Sequence, residues 1–220
     1  MEGIDLTRIA DRLAVAERVF SYPMGPHRRK HGPCGYRDYE SYRDWLRDEF
    51  SYRCVFSLAR EQWEGRTASF DIDHFEPRAT RPDLTCDYDN LLYLAHRVNL
   101  VRGKRSLPDP CHVALGRCLH VEPAGERMGE IRALQAPGER IIRVLGLDSE
   151  DATAYRRKWL RILRAVAATD ERLFRELVGY PQDLPDLAPG RRRPKENNRP
   201  GGLAESAYQL RQAGRLPDWY

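Results

Sequence analysis

Residues 70–105, FDIDHFEPRATRPDLTCDYDNLLYLAHRVNLVRGKR, contain most of the chemically distinctive residues of this chain and indicate its local fold. The apolar run at 68–75, together with the earlier run RCVFSL at 53–58, predicts two antiparallel strands separated by a glycine turn. From Asp89 onward the apolar residues recur at helical spacing as far as Gly103, with Asp89 in the place of an N-cap. The predicted local order is therefore strand, strand, helix.

The polar residues of this stretch have the chemistry that phosphodiester hydrolysis requires. That reaction uses a hard cation to neutralise the phosphate, a base to activate water and groups that hold both in line. The carboxylate of Asp73 and the amide oxygen of Asn99 are oxygen ligands that suit Mg²⁺ or Mn²⁺. His74 is a candidate general base, and Asn90 is a candidate for holding the adjoining loop through hydrogen bonds to backbone.

The neighbouring positions of Asp73 and His74 raise a geometric difficulty. Successive side chains of a regular strand point to opposite faces, so the two side chains diverge as long as the strand continues. Pro77 follows closely and predicts that the strand ends near His74. The sequence therefore predicts a bend that allows both side chains to serve one site.

Three segments carry a resemblance to a known family: IDHFEP at 72–77, YDNLLYL at 88–94 and VNLVRGKR at 98–105. Together they resemble the HNH endonuclease family, whose ββα-metal motif consists of two strands and a helix. The resemblance implies that Asp73 and Asn99 are metal ligands, that His74 is the general base and that Asn90 orients the loop. It also implies a metal-dependent endonuclease that acts on DNA with Mg²⁺ or Mn²⁺ as its cofactor.

The chain departs from this family where many members carry two CxxC pairs that bind a structural zinc ion. The corresponding positions here are Cys54 and Ser57, then Ala95 and Val98. A tetrahedral zinc site needs four thiolate or imidazole ligands, so no structural zinc is predicted there and a small apolar cluster is expected instead. A second group lacks the spacing of a zinc finger and is not predicted to bind zinc: Cys111, His112, Cys118 and His120.

Basic residues at the end of this stretch are predicted to contact nucleic acid. Four of them lie on or just after the predicted helix: Arg97, Arg102, Lys104 and Arg105. Arginine gives bidentate phosphate contacts and lysine a point charge, and such contacts position a substrate without reading its sequence. Two further basic runs, HRRKH at 27–31 and RRRPK at 191–195, are more typical of solvated loops.

Outside this stretch the sequence predicts a mainly helical α+β fold. Apolar residues recur at helical spacing in residues 4–20, in RDYESYRDWLRDEFSY at 37–52 and from Ser149 to 178. The segment GEIRALQAPGERIIRVLGLD at 129–148 alternates around a Pro-Gly pair and predicts a small C-terminal hairpin. The residues from Gly179 onward are poor in apolar side chains and rich in proline, and are predicted to be extended or partly disordered.

These features predict three consecutive regions in the chain. They are an N-terminal helix with a basic loop at 1–35, an HNH-type domain with flanking helices at 36–178 and a Pro- and Arg-rich tail at 179–220. The central strand–strand–helix motif is thus expected to be flanked by helices on both sides.

Composition limits the classes of protein to which the chain can belong. Its 37 Lys plus Arg exceed its 33 Asp plus Glu by only four charges, too few to predict nucleic-acid binding without clustering. Because no apolar run is long enough to span a bilayer and residues 1–20 lack a signal-peptide core, we expect a cytoplasmic protein with no membrane partner. Five cysteines without a CxxC pair favour reduced thiols.

Two other functions agree with the same residues. The chain is alternatively a non-catalytic nucleic-acid-binding module, or an HNH scaffold used for small-molecule chemistry. The nuclease hypothesis is favoured over the binding module because the chain keeps all four residues to which the resemblance gives a role in catalysis: Asp73, His74, Asn90 and Asn99. The shape of the surface around His74 distinguishes the nuclease from the small-molecule enzyme. A nuclease needs an open positive surface, whereas a small-molecule enzyme needs an enclosed pocket.

Overall fold

The computed structural model describes residues 4–188, 199 and 202–220. Its helices are, in chain order, α1 (Ile9–Arg18), α2 (Arg43–Glu49), α3 (His96–Arg102), α4 (Leu115–Cys118), α5 (Ala136–Leu145), α6 (Glu150–Thr169), α7 (Glu171–Val178) and α8 (Ala207–Gln212). Its strands are β1 (Phe70–His74), β2 (Leu91–Ala95), β3 (Leu119–Val121) and β4 (Ile131–Ala133). The prediction of a mainly helical α+β fold is confirmed.

The contacts between residues divide the chain into two units. The first unit contains the described part of 1–27 together with 112–179 and 218–220, and the second contains 28–111 with the described part of 180–217. These units differ from the predicted regions 1–35, 36–178 and 179–220. The difference arises because each unit is assembled from segments that are far apart in the sequence, which composition along the chain does not reveal.

The second unit contains the stretch 70–105. Strand β1 pairs antiparallel with β2, so that Phe70 lies opposite Ala95 and His74 lies opposite Leu91. Helix α3 follows β2 directly and contacts both strands, while α2 contacts β2. Every residue of β2 is buried, so this short strand forms the centre of the unit's core.

The order of strand, strand and helix is observed, and the strand predicted at 68–75 is present as β1. The first predicted strand, at 53–58, is absent, and the start of the predicted helix is strand β2. The run at 53–58 is a turn with one β-bridge, between Arg53 and Arg60, and Leu58 has a left-handed backbone with φ of 59°. The run Leu91–Ala95 is a strand, and the helix begins only at His96. A short strand that is buried on both faces has no polar alternation, so periodicity alone did not separate it from a helix.

A buried polar cluster joins distant segments of the second unit. The carboxylate of Asp48 is 1% exposed and lies 2.7 Å from His31 Nε2 and 3.0 Å from Lys30 Nζ. It also accepts hydrogen bonds from the hydroxyl of Tyr52 and from the amide of Ala207 at the start of α8. Part of the basic run at 27–31 is therefore buried, not solvated as the sequence predicted.

The tail also differs from the extended segment that the sequence predicted. Helix α8 is capped by the hydroxyl of Ser206, which accepts from the amide of Gln209, and Leu184, Leu187 and Ala207 are buried. A few apolar residues thus suffice to fold the described part of the tail onto the second unit. The basic run at 191–195 lies outside the described residues.

The first unit is helical with one short hairpin. Strand β3 pairs antiparallel with β4, and α1 contacts α6. Ser149 caps α6, as predicted, because its hydroxyl accepts from the amide of Ala152. The predicted helix from Ser149 to 178 is interrupted at Asp170, whose carboxylate accepts from the amide of Leu173 and so starts a new helix, α7.

The C-terminal hairpin predicted at 129–148 is only partly present. Residues 131–133 form β4, but its partner is β3, and Pro137 and Gly138 lie in the first turn of α5. Proline is favoured in the first helical turn because its missing N–H is not needed there. A Cβ at Gly138 would lie 2.0 Å from the carbonyl oxygen of Cys118, so this glycine permits close packing and does not form a turn.

Among the residues that the structure describes, no helix is long and apolar enough to cross a bilayer.

Candidate functional site

The two carboxylates of β1 lie on the face of the strand that α3 covers. Asp71 and Asp73 are partly exposed, whereas the alternating residues Phe70, Ile72 and His74 are buried. The amide of Asn99 and the guanidinium of Arg102, both on α3, contact these carboxylates. The polar face of the ββα motif is therefore built from both strand and helix.

A cavity of about 440 Å³ opens beside this face. Asp73, His74 and Asn99 all line it, so the structure brings together three of the four residues that the sequence singled out. The strand ends at His74 and the chain bends at residues 75–76, as Pro77 led us to expect. Asp73 and His74 are still successive residues of a regular strand, with Asp73 partly exposed beside α3 and His74 buried, and both residues line the cavity.

Arg102 is buried against Asp73. Its guanidinium forms an ion pair with the Asp73 carboxylate and donates to the carbonyl oxygens of His74 at 2.9 Å and Phe75 at 2.7 Å. The residue is 1% exposed, so the prediction that Arg102 contacts nucleic acid is wrong. Burial raises the pKa of Asp73 to about 6, although the charge and hydrogen bond of Arg102 act in the opposite direction.

His74 has the protonation state of a base. Its Nε2 lies 3.0 Å from the carbonyl oxygen of Thr85, and because a carbonyl only accepts, Nε2 carries the proton. The neutral ring then presents Nδ1 as an unprotonated nitrogen. Burial lowers the pKa of His74, assisted by the charges of Arg78 and Arg102, whereas the hydrogen bond to Thr85 raises it. The ring of Tyr39 packs edge-on against the imidazole, with 4.8 Å between ring centroids.

Asn90 holds the loop that joins the two strands, not a loop between strand and helix. Its side-chain oxygen accepts from the amide of Glu76 at 2.8 Å. Its side-chain nitrogen donates to the carbonyl oxygens of Glu76 at 3.1 Å and Leu84 at 3.2 Å. These bonds fix the loop that supplies Thr85 to His74, so Asn90 acts on the imidazole through backbone.

We expect the Asn90→Ala substitution to lower the free energy of unfolding by about 1–3 kcal/mol, because three partly buried hydrogen bonds to the backbone of the loop are lost. Urea unfolding of both proteins measures this change, with Asn99→Ala as the matched control. Asn99 has one side-chain hydrogen bond, to Asp71, so its loss should cost less. Equal stability of the two variants would contradict a loop-holding role for Asn90.

Asp71 is a site residue that sequence reasoning missed. Its Oδ2 lies 2.9 Å from Asn99 Nδ2 and 2.9 Å from His96 Nδ1. The signal was present in the sequence, because Asp71 is two residues before Asp73 and side chains two apart on a strand share a face. His96, although exposed, therefore has a specific carboxylate partner.

The positive charges around the cavity are mostly not the predicted ones. Lys104 lines it, as do Arg43 and Arg78, whose positions the sequence did not indicate. Arg97 instead lies 3.0 Å from a Glu64 carboxylate oxygen. The fourth predicted residue, Arg105, is exposed and donates to the carbonyl oxygens of Val101 and Arg102 at the end of α3.

The predicted metal pair, Asp73 and Asn99, does not fit a bound cation in the arrangement observed. The guanidinium of Arg102 occupies Oδ2 of Asp73, and the amide of Asn99 is directed at Asp71. No group of three His, Cys, Asp or Glu side chains arranged as metal ligands occurs within residues 4–188, 199 and 202–220. The three residues expected to form an apolar cluster, Cys54, Ala95 and Val98, are all buried.

No protein-family model matches the chain, and a search of curated proteins found no significant match.

Proposed function

We propose that this protein is an HNH-type endonuclease that hydrolyses phosphodiester bonds of DNA. The observation that carries the proposal is the convergence of Asp73, His74 and Asn99 on one cavity at the end of a strand–strand–helix motif. The resemblance to the ββα-metal motif, which gives roles in phosphodiester hydrolysis to the same three residues, supports the proposal. The charged lining of the cavity further supports a phosphate-bearing substrate.

His74 supplies the base in this proposal. Its Nδ1 removes a proton from a water molecule in the cavity, and the resulting hydroxide forms a new bond to phosphorus. The bond between phosphorus and the 3′ oxygen breaks, and the departing 3′ oxygen takes a proton from solvent. The carbonyl of Thr85 holds the proton on Nε2 and so keeps Nδ1 unprotonated. The base is thus held in the correct tautomer by a backbone carbonyl. Asn90 fixes the loop that carries this carbonyl.

The basic residues of the cavity hold the phosphate. Lys104 is exposed and Arg78 is also exposed, with its guanidinium 5.1 Å from the centre of the Tyr39 ring. Arg43 is less available, because it donates to the carbonyl of Phe70 and to Glu40. Lys104 and Arg78 are therefore the residues that contact the phosphate oxygens of the DNA. Such contacts position the DNA without reading its base sequence.

Cleavage of supercoiled plasmid tests the proposal. The protein is incubated with Mg²⁺, with Mn²⁺ or with EDTA, and nicked and linear products are separated on a gel. We expect nicking that requires a divalent cation and disappears with EDTA. Parallel reactions with single-stranded DNA and RNA define the substrate. Failure to cut any of these nucleic acids at either metal would reject the proposal.

The volume of the cavity supports a second candidate, hydrolysis of a small phosphodiester. Ligand pockets commonly measure about 300–1,000 Å³, and the cavity falls in this range. Hydrolysis of bis(p-nitrophenyl) phosphate without cleavage of plasmid would favour this second function. Cleavage of plasmid with slower turnover of the small diester would favour the nuclease.

We expect nuclease activity to fall at acid pH with a midpoint below 6.5, the ordinary pKa of histidine, because the pKa of His74 is lowered. The neutral imidazole is the active form, so a lower pKa extends activity to lower pH. The dependence of kcat/KM on pH measures this midpoint. The carboxyl of Asp73 titrates nearby, and Asp73→Asn should retain the acid limb if His74 causes it. A midpoint above 6.5 would contradict the assignment.

A further inference from the structure

The geometry points to a divalent-cation site formed by Asp71, His96 and Asn99, with Mn²⁺ bound more tightly than Mg²⁺. This inference deepens the proposed function, because it places the cation of that reaction on residues other than the predicted pair of Asp73 and Asn99.

Asp71 is separated from His96 and from Asn99 by distances that two ligands of one ion can have. Asp71 Oδ2 lies 2.9 Å from His96 Nδ1 and 2.9 Å from Asn99 Nδ2. Two ligand atoms that each lie about 2.1 Å from a metal at a right angle are separated by about 3 Å. Rotation of the Asn99 amide by half a turn places its oxygen where the nitrogen now lies. An ion that replaces these two hydrogen bonds would then have a carboxylate oxygen, an imidazole nitrogen and an amide oxygen as its ligands.

The elements that carry these residues hold them in place. His96 is the first residue of α3 and Asn99 lies three residues later, so both side chains are on one face of the helix. Asp71 lies on the strand that this face covers. The ligands thus come from two adjacent elements of the ββα motif, not from a loop.

Asp73 is excluded from this role by its partner. The guanidinium of Arg102 already provides the positive charge next to its carboxylate and is buried there. A cation bound to Asp73 would have to displace Arg102 or lie close to its charge. Asp71 has no arginine or lysine partner among its observed contacts, and its donors are the neutral amide of Asn99 and the imidazole of His96.

The ligand types determine which ion is preferred. Mg²⁺ is bound mainly by oxygen, whereas imidazole suits transition-metal ions, and the carboxylate and amide also suit Mn²⁺. The His96 side chain is 57% exposed and that of Asp71 is 29% exposed, so water molecules can complete the coordination shell. This combination favours Mn²⁺ over Mg²⁺.

The experiment is a titration of the full-length protein with Mn²⁺ alone, in which the EPR signal of free Mn²⁺ reports binding. We expect one site whose affinity falls roughly 10-fold or more in His96→Gln, because even a partner of a metal ligand contributes about 10- to 100-fold to affinity. Competition with Mg²⁺ should require at least tenfold higher concentration. His96 is exposed, so His96→Gln is expected to fold. Asp71→Asn replaces the carboxylate ligand by an amide and should also lower the affinity for Mn²⁺.

Two further variants locate the site. His120→Gln is the matched control, since His120 also lies beside a carboxylate, Glu122 at 3.4 Å, but in the first unit. It should bind Mn²⁺ like the parent, as should Asp73→Asn once its thermal unfolding shows that it is folded. Unchanged binding in His96→Gln, or loss confined to Asp73→Asn, would overturn the site.

The binding assay contains no nucleic acid, so the two proposals fail separately. Mn²⁺ binding that depends on His96 in a protein that cuts no plasmid would leave the cation site and reject the nuclease. Cleavage of plasmid that depends on Mn²⁺, with binding that does not depend on His96, would leave the nuclease and reject this site.

Discussion

His74→Ala should reduce the rate of plasmid cleavage by about 10²- to 10⁴-fold, the usual contribution of a general base. The imidazole lines the cavity, its Nε2 proton is fixed by the carbonyl of Thr85, and its pKa is lowered by burial. Its unprotonated Nδ1 is therefore available at neutral pH. The measurement is the initial rate of nicking of supercoiled plasmid by equal amounts of folded parent and variant.

Two controls separate loss of a base from loss of structure. His74→Gln retains an N–H donor for the carbonyl of Thr85 but has no nitrogen that can accept a proton at neutral pH, so it should be as inactive as the alanine variant. Added imidazole should restore part of the activity of His74→Ala, because it supplies a base to the space that the substitution leaves. Full activity in His74→Gln would show that His74 has only a structural role.

The sequence predicted the end of β1 better than the surroundings of its side chains. Pro77 correctly indicated that the strand ends near His74, where the chain bends at residues 75–76, and the period of two along the strand separates Asp73 from His74. The same period places Asp71 beside Asp73, a signal that was available but not used. The alternation of side chains along a strand can be predicted from the sequence because it depends only on local backbone geometry.

The errors come from contacts between residues distant in sequence. Nothing near Arg102 indicates that its guanidinium is buried against Asp73 and the carbonyls at the end of β1. The strand Leu91–Ala95 is buried and apolar on both faces. Its sequence therefore shows no alternation of polar and apolar residues and cannot be distinguished from a buried helix by periodicity. Arg43 reaches the cavity from a segment outside 70–105, and Arg78 reaches it from the loop after β1, where no motif identified it.

The basic run at 27–31 illustrates the same limit. A run of positive charges is usually a solvated loop, because burying a charge without a partner is costly. Here α2 supplies the partners, since Asp48 lies beside both Lys30 and His31. Glu49 accepts from the backbone amides of Lys30 and His31 and so continues the same cluster. The sequence shows both groups of charges, but only the fold shows that they meet.

Asp48→Ala should lower the free energy of unfolding by about 3–5 kcal/mol, the usual cost of removing one partner from a buried ion pair. The substitution leaves the buried side chain of His31 and the partly buried Lys30 without their carboxylate, and it also releases the amide of Ala207. Urea unfolding at neutral pH measures the change. Hydrogen exchange at Ala207 should become faster, because this amide loses its acceptor.

A matched exposed aspartate and the pH dependence distinguish this cluster from a surface ion pair. Asp83 pairs with Arg81 at 2.7 Å but is 59% exposed, so Asp83→Ala should change the free energy of unfolding far less than Asp48→Ala. Burial raises the pKa of Asp48, but the hydrogen bond from His31 and the charge of Lys30 outweigh it and lower the pKa to about 2. The folded carboxyl thus binds a proton less readily than the unfolded one.

The sign of this shift fixes the pH range in which Asp48 contributes. Its stabilisation is fully present above pH 3.8, the ordinary value for aspartate, and is lost as pH falls toward about 2. The parent should therefore lose stability more steeply than Asp48→Ala between these values, and the two unfolding curves should approach each other at the acid end. A constant difference between them at every pH would mean that the cost of the substitution arises from lost packing and not from the buried charge.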